Sequence, residues 1–270
     1  MEYLPDWLPM QDLPAYLALG AVAGLAAGLL GVGGGLIIVP ALIWIYGARG
    51  LDGAIVAHLA VGTSLASIVV TSISSVYAHH RRRAVQWPLA GAMAPGILIG
   101  ALLGAALADS LPAPVLQRAF ALFAVVAGAR MLAGTPGRGD RDLPGSWGLG
   151  LAGGLIGLVS AVVGIGGGTM TTPFLNRRGV GMRQAVATSS ACGLPIALAG
   201  GLGFAVAGWG GSALPAGSSG FVHWPAVLGV VAASIPAAPL GAHLAHSLPV
   251  SALKRIFALL LLLIGGKMMI

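Results

Sequence analysis

The sequence predicts an all-α polytopic membrane protein made of two inverted-topology repeats, each a Gly-broken helical hairpin followed by three transmembrane helices. Three observations lead there. The 270-residue chain is 57% hydrophobic and only 8% charged, whereas an ordinary soluble domain carries about 25% charged residues. A glycine-rich break between apolar runs occurs twice: Gly31-Val32-Gly33-Gly34-Gly35 and Gly164-Ile165-Gly166-Gly167-Gly168. The basic residues gather on one side only if each broken segment returns to the side it entered from.

Taken in order, residues 15–30 and 36–47 are apolar runs on either side of the first break. Consecutive glycines disfavour helix, and neither run reaches the roughly 20 residues needed to span the hydrocarbon core. A re-entrant hairpin, or two short tilted helices, is the economical arrangement. Residues 53–78 form a long segment with a seam of Thr63, Ser64, Ser67, Thr71, Ser72, Ser74 and Ser75, ending at His79-His80-Arg81-Arg82-Arg83. Residues 88–108 form a helix with Gly96, Gly100 and Gly104 at the spacing that lets helices approach closely. Residues 114–133 form another helix, and 134–147 read as a linker. The acidic N-terminus, Met1 to Asp6, lacks the basic stretch of a signal peptide and is expected to be retained.

The second half repeats the first. Gly62-Thr63-Ser64 aligns with Ala187-Thr188-Ser189, and Val85-Gln86-Trp87-Pro88 with Val222-His223-Trp224-Pro225. Ser110-Leu111-Pro112 aligns with Ser247-Leu248-Pro249, and the helix start around Arg118 with that around Arg255. The repeats are 1–135 and 148–270, joined by a linker at 136–147, within one membrane domain. With hairpins, eleven of the basic residues lie on one side (Arg81–Arg83, Arg130, Arg138, Arg141, Arg177, Arg178, Arg183, Lys254, Arg255) and Arg49, Arg118 and Lys267 on the other. With two broken spans the split is seven and seven. The positive-inside rule selects the hairpins and puts both termini outside the cytoplasm.

Broken helices in inverted repeats place an anion near the midplane, facing half-helix N-termini. Those ends carry unpaired N–H groups and a positive dipole end. The expected anion-binding residues are Gly33, Gly34, Gly35, Gly166, Gly167 and Gly168, with Thr63, Ser64, Thr169, Thr188, Ser189 and Ser190 adding hydroxyl groups. No Asp, Glu or Arg falls within the middle of a span, so the site is expected to work without a fixed positive charge. His58 is the best candidate for proton coupling, beside the alternative of a structural hydrogen-bonded histidine. The spaced glycines Gly20, Gly24, Gly28, Gly96, Gly100 and Gly104 read as packing positions, and Arg81–Arg83 as a topology signal.

Several classes are excluded. The single cysteine, Cys192, allows no intramolecular disulfide or cysteine metal cluster, and the close histidine pairs His79-His80 and His243/His246 lack nearby carboxylates. No metal, cofactor or catalytic constellation is expected. The glycine motifs lack the third fingerprint glycine and the βαβ context of dinucleotide binding, and the basic loops report topology rather than nucleic acid. The partners expected are a small anion and the lipid bilayer. The glycine-rich faces leave a homo-oligomer open, because they can pack within one subunit or between two.

The paired motifs Gly31–Pro40 and Gly164–Pro173, the segments Gly62-Thr63-Ser64 and Ala187-Thr188-Ser189, and the helix starts near Arg118 and Arg255 resemble the TauE/SafE family. The resemblance covers essentially the whole chain; Ala187 in place of a second Gly62 is a mild departure. It implies an inner-membrane transporter that exports a small sulfur-containing anion such as sulfite or an organosulfonate. A passive anion channel and a non-transporting scaffold are the alternatives.

Overall fold

A computed structural model describes residues 12–30, 33–134, 142–211, 214–244 and 250–269. The N-terminal residues 1–11, Gly31, Val32, residues 136–141 of the linker and the Ser247-Leu248-Pro249 copy lie outside the described residues, and so do the expectations placed on them.

Ten α-helices make up the described residues, with one two-residue β-ladder pairing Ser218–Ser219 with Val222–His223. In order they are α1 (Leu13–Leu30), α2 (Gly35–Ala48), α3 (Gly53–Arg81), α4 (Trp87–Ser110) and α5 (Ala113–Leu132), then α6 (Ser146–Val163), α7 (Gly168–Arg177), α8 (Met182–Ala207), α9 (Trp224–Leu244) and α10 (Val250–Met269). Among the described residues, α3, α4, α5, α6, α8 and α9 are long and apolar enough to cross a membrane. Helices α2 and α7, with 14 and 10 residues, rise only about 21 and 15 Å against a hydrocarbon core of about 30 Å.

Both glycine motifs break the helix, and each break turns the chain back. Asp12, just before α1, pairs with Arg49, just after α2. Across the second hairpin, Arg178 donates to the Asp142 carbonyl at 3.2 Å, joining the end of α7 to the approach of α6. Each hairpin therefore begins and ends on one side. The turns use left-handed backbone at Gly33 (φ 70°) and Gly164 (φ 74°), where a side chain would be strained.

The hairpin bases lie at opposite ends of the molecule. Helices α3 and α8, which come after the two hairpins, run antiparallel: Ser75 Oγ donates to Ser190 Oγ at 3.3 Å, while Gly200, further along α8, packs on Leu65, nearer the start of α3. The hairpin tips meet between these helices. Ser64 Oγ donates to the Gly164 carbonyl at 2.8 Å. A Cβ on Gly35 would sit 2.9 Å from Ile165 Cα, and one on Gly33 3.4 Å from Gly166 Cα.

The remaining helices interlock the halves. Helix α1 packs along α9 and α6 along α4, while α5 packs on α10. Glycines make the first two contacts close. Gly96, Gly100 and Gly104 lie directly on the backbone carbonyls of Gly150, Gly154 and Leu158, and Gly20 lies on that of Val230, leaving no room for a Cβ. Here close backbone approach supplies the packing contact that larger side chains supply in soluble cores. Gly28 differs: it lines a cleft between the hairpin tips.

Candidate functional site

The cleft, of about 60 Å³, has room for a few waters or a small oxyanion and lies where the hairpin tips meet. Gly33 comes from the first hairpin, and Gly166, Gly167 and Gly168 from the second. The C-terminal half of α3 supplies Thr71, Ser72, Ser74 and Ser75; α8 supplies Ser189, Ser190 and Gly193. Ala27, Gly28, Ala238 and Pro239 complete the wall, and the cleft runs along α3 to His79 and Arg82.

Local sequence explains this geometry. Glycine at the N-cap of α2 (Gly34) and of α7 (Gly167) leaves both helix starts without a side-chain cap, although the first turn of any helix carries N–H groups with no intrahelical partner. One residue into α7, the Thr169 hydroxyl is buried without a hydrogen-bond partner. Gly166 and Gly193 have no Cβ to fill the space, and one could be added to either without clash.

The cleft thus brings together six of the sequence candidates: Gly33, Gly166, Gly167, Gly168, Ser189 and Ser190. The other six, and His58, lie off its lining. Gly34 packs on Ala23 and Ile38 within its own hairpin, and Gly35 packs against Gly164 and Ile165. Ser64 is committed to the Gly164 carbonyl. Thr63 accepts the backbone N–H of His223 at 3.0 Å, and Thr188 accepts that of Gln86, also at 3.0 Å. These two bonds occupy matching places in the two halves and pin the approaches to α9 and α4. Thr169 sits next to the lining, at the start of α7.

His58 holds two helices together. Its Nε2 lies 3.0 Å from the Ala108 carbonyl and 3.1 Å from the Leu111 carbonyl. Both partners only accept, so Nε2 carries the proton.

Twelve of the 18 lining residues are absent from the sequence candidates, among them His79, Arg82 and Gly193. Arg82 reads as a topology signal in the sequence, yet it lines the cleft. It stands at the basic end of α3, beyond the middle of the span. The signal available was the run of Ser and Thr along α3 leading to Arg82.

The sulfite exporter TauE/SafE family matches residues 16–268, which takes in nearly all of every helix. The chain belongs to the TauE/SafE family. A "probable membrane transporter protein" of Haemophilus influenzae is 35% identical over 93% of this chain and 96% of its own length. A "probable membrane transporter protein" of Methanocaldococcus jannaschii is 28% identical, covering 70% of this chain and 71% of its own length. YdhB of Bacillus subtilis, described in the same words, is 25% identical over 86% and 89%. No solved structure gives a significant match. This TauE/SafE chain is a multi-pass membrane transporter, and the family is one of transporters rather than enzymes.

Proposed function

We propose that the chain is a secondary transporter that exports a small sulfur-containing anion, sulfite or an organosulfonate, across a bacterial-type plasma membrane by alternating access. The observation that carries the reading is the cleft at the meeting of two helix breaks, where Gly33 faces Gly166–Gly168 beside Ser189 and Ser190. The anion is held by the N–H groups that open α7, opposite Gly33, and by nearby hydroxyls, with Thr169 as a further donor. Arg82 at the mouth concentrates anions ahead of the site.

The two halves are inverted repeats: their hairpins enter from opposite ends of an antiparallel α3/α8 pair. The positive-inside rule places the Arg81–Arg83 end in the cytoplasm and both termini outside. In this orientation the cleft faces the cytoplasm, as an exporter loading its substrate requires. The sulfur chemistry of the substrate rests on the family description.

Counterflow in proteoliposomes loaded separately with sulfite, sulfate, thiosulfate, sulfoacetate and taurine tests the reading. Saturable exchange of one sulfur oxyanion or sulfonate is expected. Flux at channel-like rates that never saturates would favour a passive pore. No exchange by folded protein would remove the sulfur-anion assignment.

A further inference from the structure

The end of the molecule opposite the cleft is sealed by aromatic groups that take no part in the anion site. Tyr16 of α1, Tyr46 of α2 and His223, just before α9, pack together with 1%, 0% and 2% of their surfaces exposed. The His223 ring meets Tyr46 edge-on at 5.7 Å and Tyr16 at 6.2 Å. Tyr46 Oη lies 3.3 Å from His223 Nδ1, and the His223 backbone N–H is held by Thr63. Tyr16 Oη is buried with no hydrogen-bond partner. The contact joins the base of the first hairpin to the segment 214–223 of the second half.

The matching position in the other half is built differently. Gln86 stands where His223 does, and its Nε2 donates to Gln184 Oε1 at 2.8 Å in an exposed contact. One end of the molecule is therefore closed over a buried imidazole, while the matching contact at the other end is a wet pair of amides that do not titrate.

We propose that His223 is a proton-binding site in the gate on the non-cytoplasmic side, and that its protonation accompanies opening of that gate. This deepens the transporter reading and rests on it for its physiological meaning.

The chemistry comes from the neighbours. A ring N–H of His223 hydrogen-bonds the Ala216 backbone, which leaves the Nδ1 lone pair to accept from the Tyr46 hydroxyl. The charged groups facing the ring are Arg49, beside the end of α2, and Asp12, which Arg49 pairs; Tyr16 and Tyr46 are the other titratable neighbours. No carboxylate in this set is free to stabilise an imidazolium. Burial, and then the Arg49 charge, push His223 down from 6.5 to about 4. Parting of Tyr16 and Tyr46 from the 214–223 segment wets the ring and restores ordinary basicity. The sealed state releases the proton and the open state takes it up, so acid favours the open gate.

Between pH 7.5 and 5, a ring of ordinary pKa binds a proton that the sealed ring refuses, which shifts the open-to-sealed ratio on the order of 20-fold. The reporter is Ser218→Cys in a Cys192→Ala background. Ser218 pairs with His223 across the ladder and its hydroxyl is shut off from solvent. In detergent-purified protein, maleimide labelling of this cysteine is measured at about pH 7.5 and about pH 5, with and without His223→Gln. Dividing by the His223→Gln rate removes the intrinsic pH dependence of the thiol.

The expected result is a normalised rate that rises on the order of 20-fold in acid. A normalised rate constant within about twofold overturns the proposal. The experiment needs no substrate, so an error in the anion assignment leaves it interpretable. Should His223→Gln fail to fold, hydrogen exchange of segment 214–223 in the unmodified chain serves instead. Protection, corrected for intrinsic rates, is expected to fall at about pH 5; unchanged protection overturns the assignment.

Discussion

Replacing Gly166 with Leu is expected to abolish substrate exchange while leaving the protein folded. Gly166 stands at the point where the two hairpin tips face each other and forms part of the cleft lining. Its backbone is not in the left-handed region, so an L side chain adds no strain there. A Cβ would lie 3.6 Å from Ile68 Cγ2 and 3.7 Å from Gly33 Cα, ordinary contact distances. The rest of the isobutyl group then has only the cleft to occupy, covering the N–H groups that open α7. Counterflow should fall roughly 100-fold or more, the loss that about 3 kcal/mol of forfeited binding produces. The elution profile and melting temperature in detergent should stay close to those of the unmodified chain. Gly33 and Gly164 would be poor choices for the same test, because their positive φ would mix backbone strain with loss of the site.

The second large effect concerns stability. Gly100→Val on α4 is expected to destabilise the fold by about 3 kcal/mol, at the upper end of what over-packing costs. The reason is the absence of slack: Gly100 lies on the carbonyl of Gly154 in α6, and the overlap is with backbone rather than with a side chain that can rotate away. Since α4 and α6 come from different halves, their separation should also loosen the whole assembly. Thermal unfolding in detergent checks this, with Gly91→Ala as the reference. Gly91 is on the same helix with nothing within 4 Å of an added Cβ, so alanine there should be neutral or stabilise by up to about 1 kcal/mol through helix propensity. If both variants melt alike, the glycine contacts are not what holds the halves together.

Much of the fold is legible in the sequence because its signals are local and strong. Two runs of adjacent glycines mark both helix breaks, which fall at Gly33–Gly34 and Gly164–Gly167. Apolar length marks α3, α4 and α5 to within three residues. The four-residue glycine spacing foretells the close packing of Gly96, Gly100 and Gly104, although not that the partner is α6 of the other half.

The site is harder to read, since which hydroxyl faces a cleft depends on helix rotation about its axis. Thr63, Ser64, Thr188 and Ser189 are adjacent pairs in matched positions, yet they diverge. Thr63 and Thr188 pin the approaches to α9 and α4, Ser64 caps a carbonyl of the opposite hairpin, and Ser189 reaches the cleft. The position three to four residues further along a helix is often the one that shares a face. Thr71, Ser74 and Ser75 share such a face and line the cleft, while Ser64 lies on the same face two turns earlier, where it bonds the Gly164 carbonyl. Arg82 is hidden for a different reason. A basic cluster at a helix end has an adequate explanation in membrane topology, and the sequence cannot show that one of its members also turns toward a cavity. His58 and His223 make the same point: both lie near the start of a membrane helix, but His58 is tied to two carbonyls, whereas His223 is enclosed by two tyrosines.

The most direct test of the claim that the anion sits where the two hairpin tips meet is protection of a cysteine placed in the wall of the cleft. Ala27→Cys, in the Cys192→Ala background, puts a thiol beside Gly28 without touching a glycine break or a serine of the site. A haloacetamide is applied from the Arg81–Arg83 side with increasing amounts of the anion that counterflow identifies. The account predicts that labelling slows with a half-effect at the concentration that half-saturates exchange. It also predicts that the protection disappears in Gly166→Leu. Labelling that stays constant at saturating anion, in protein that still exchanges it, would contradict the account and move the binding site elsewhere in the molecule.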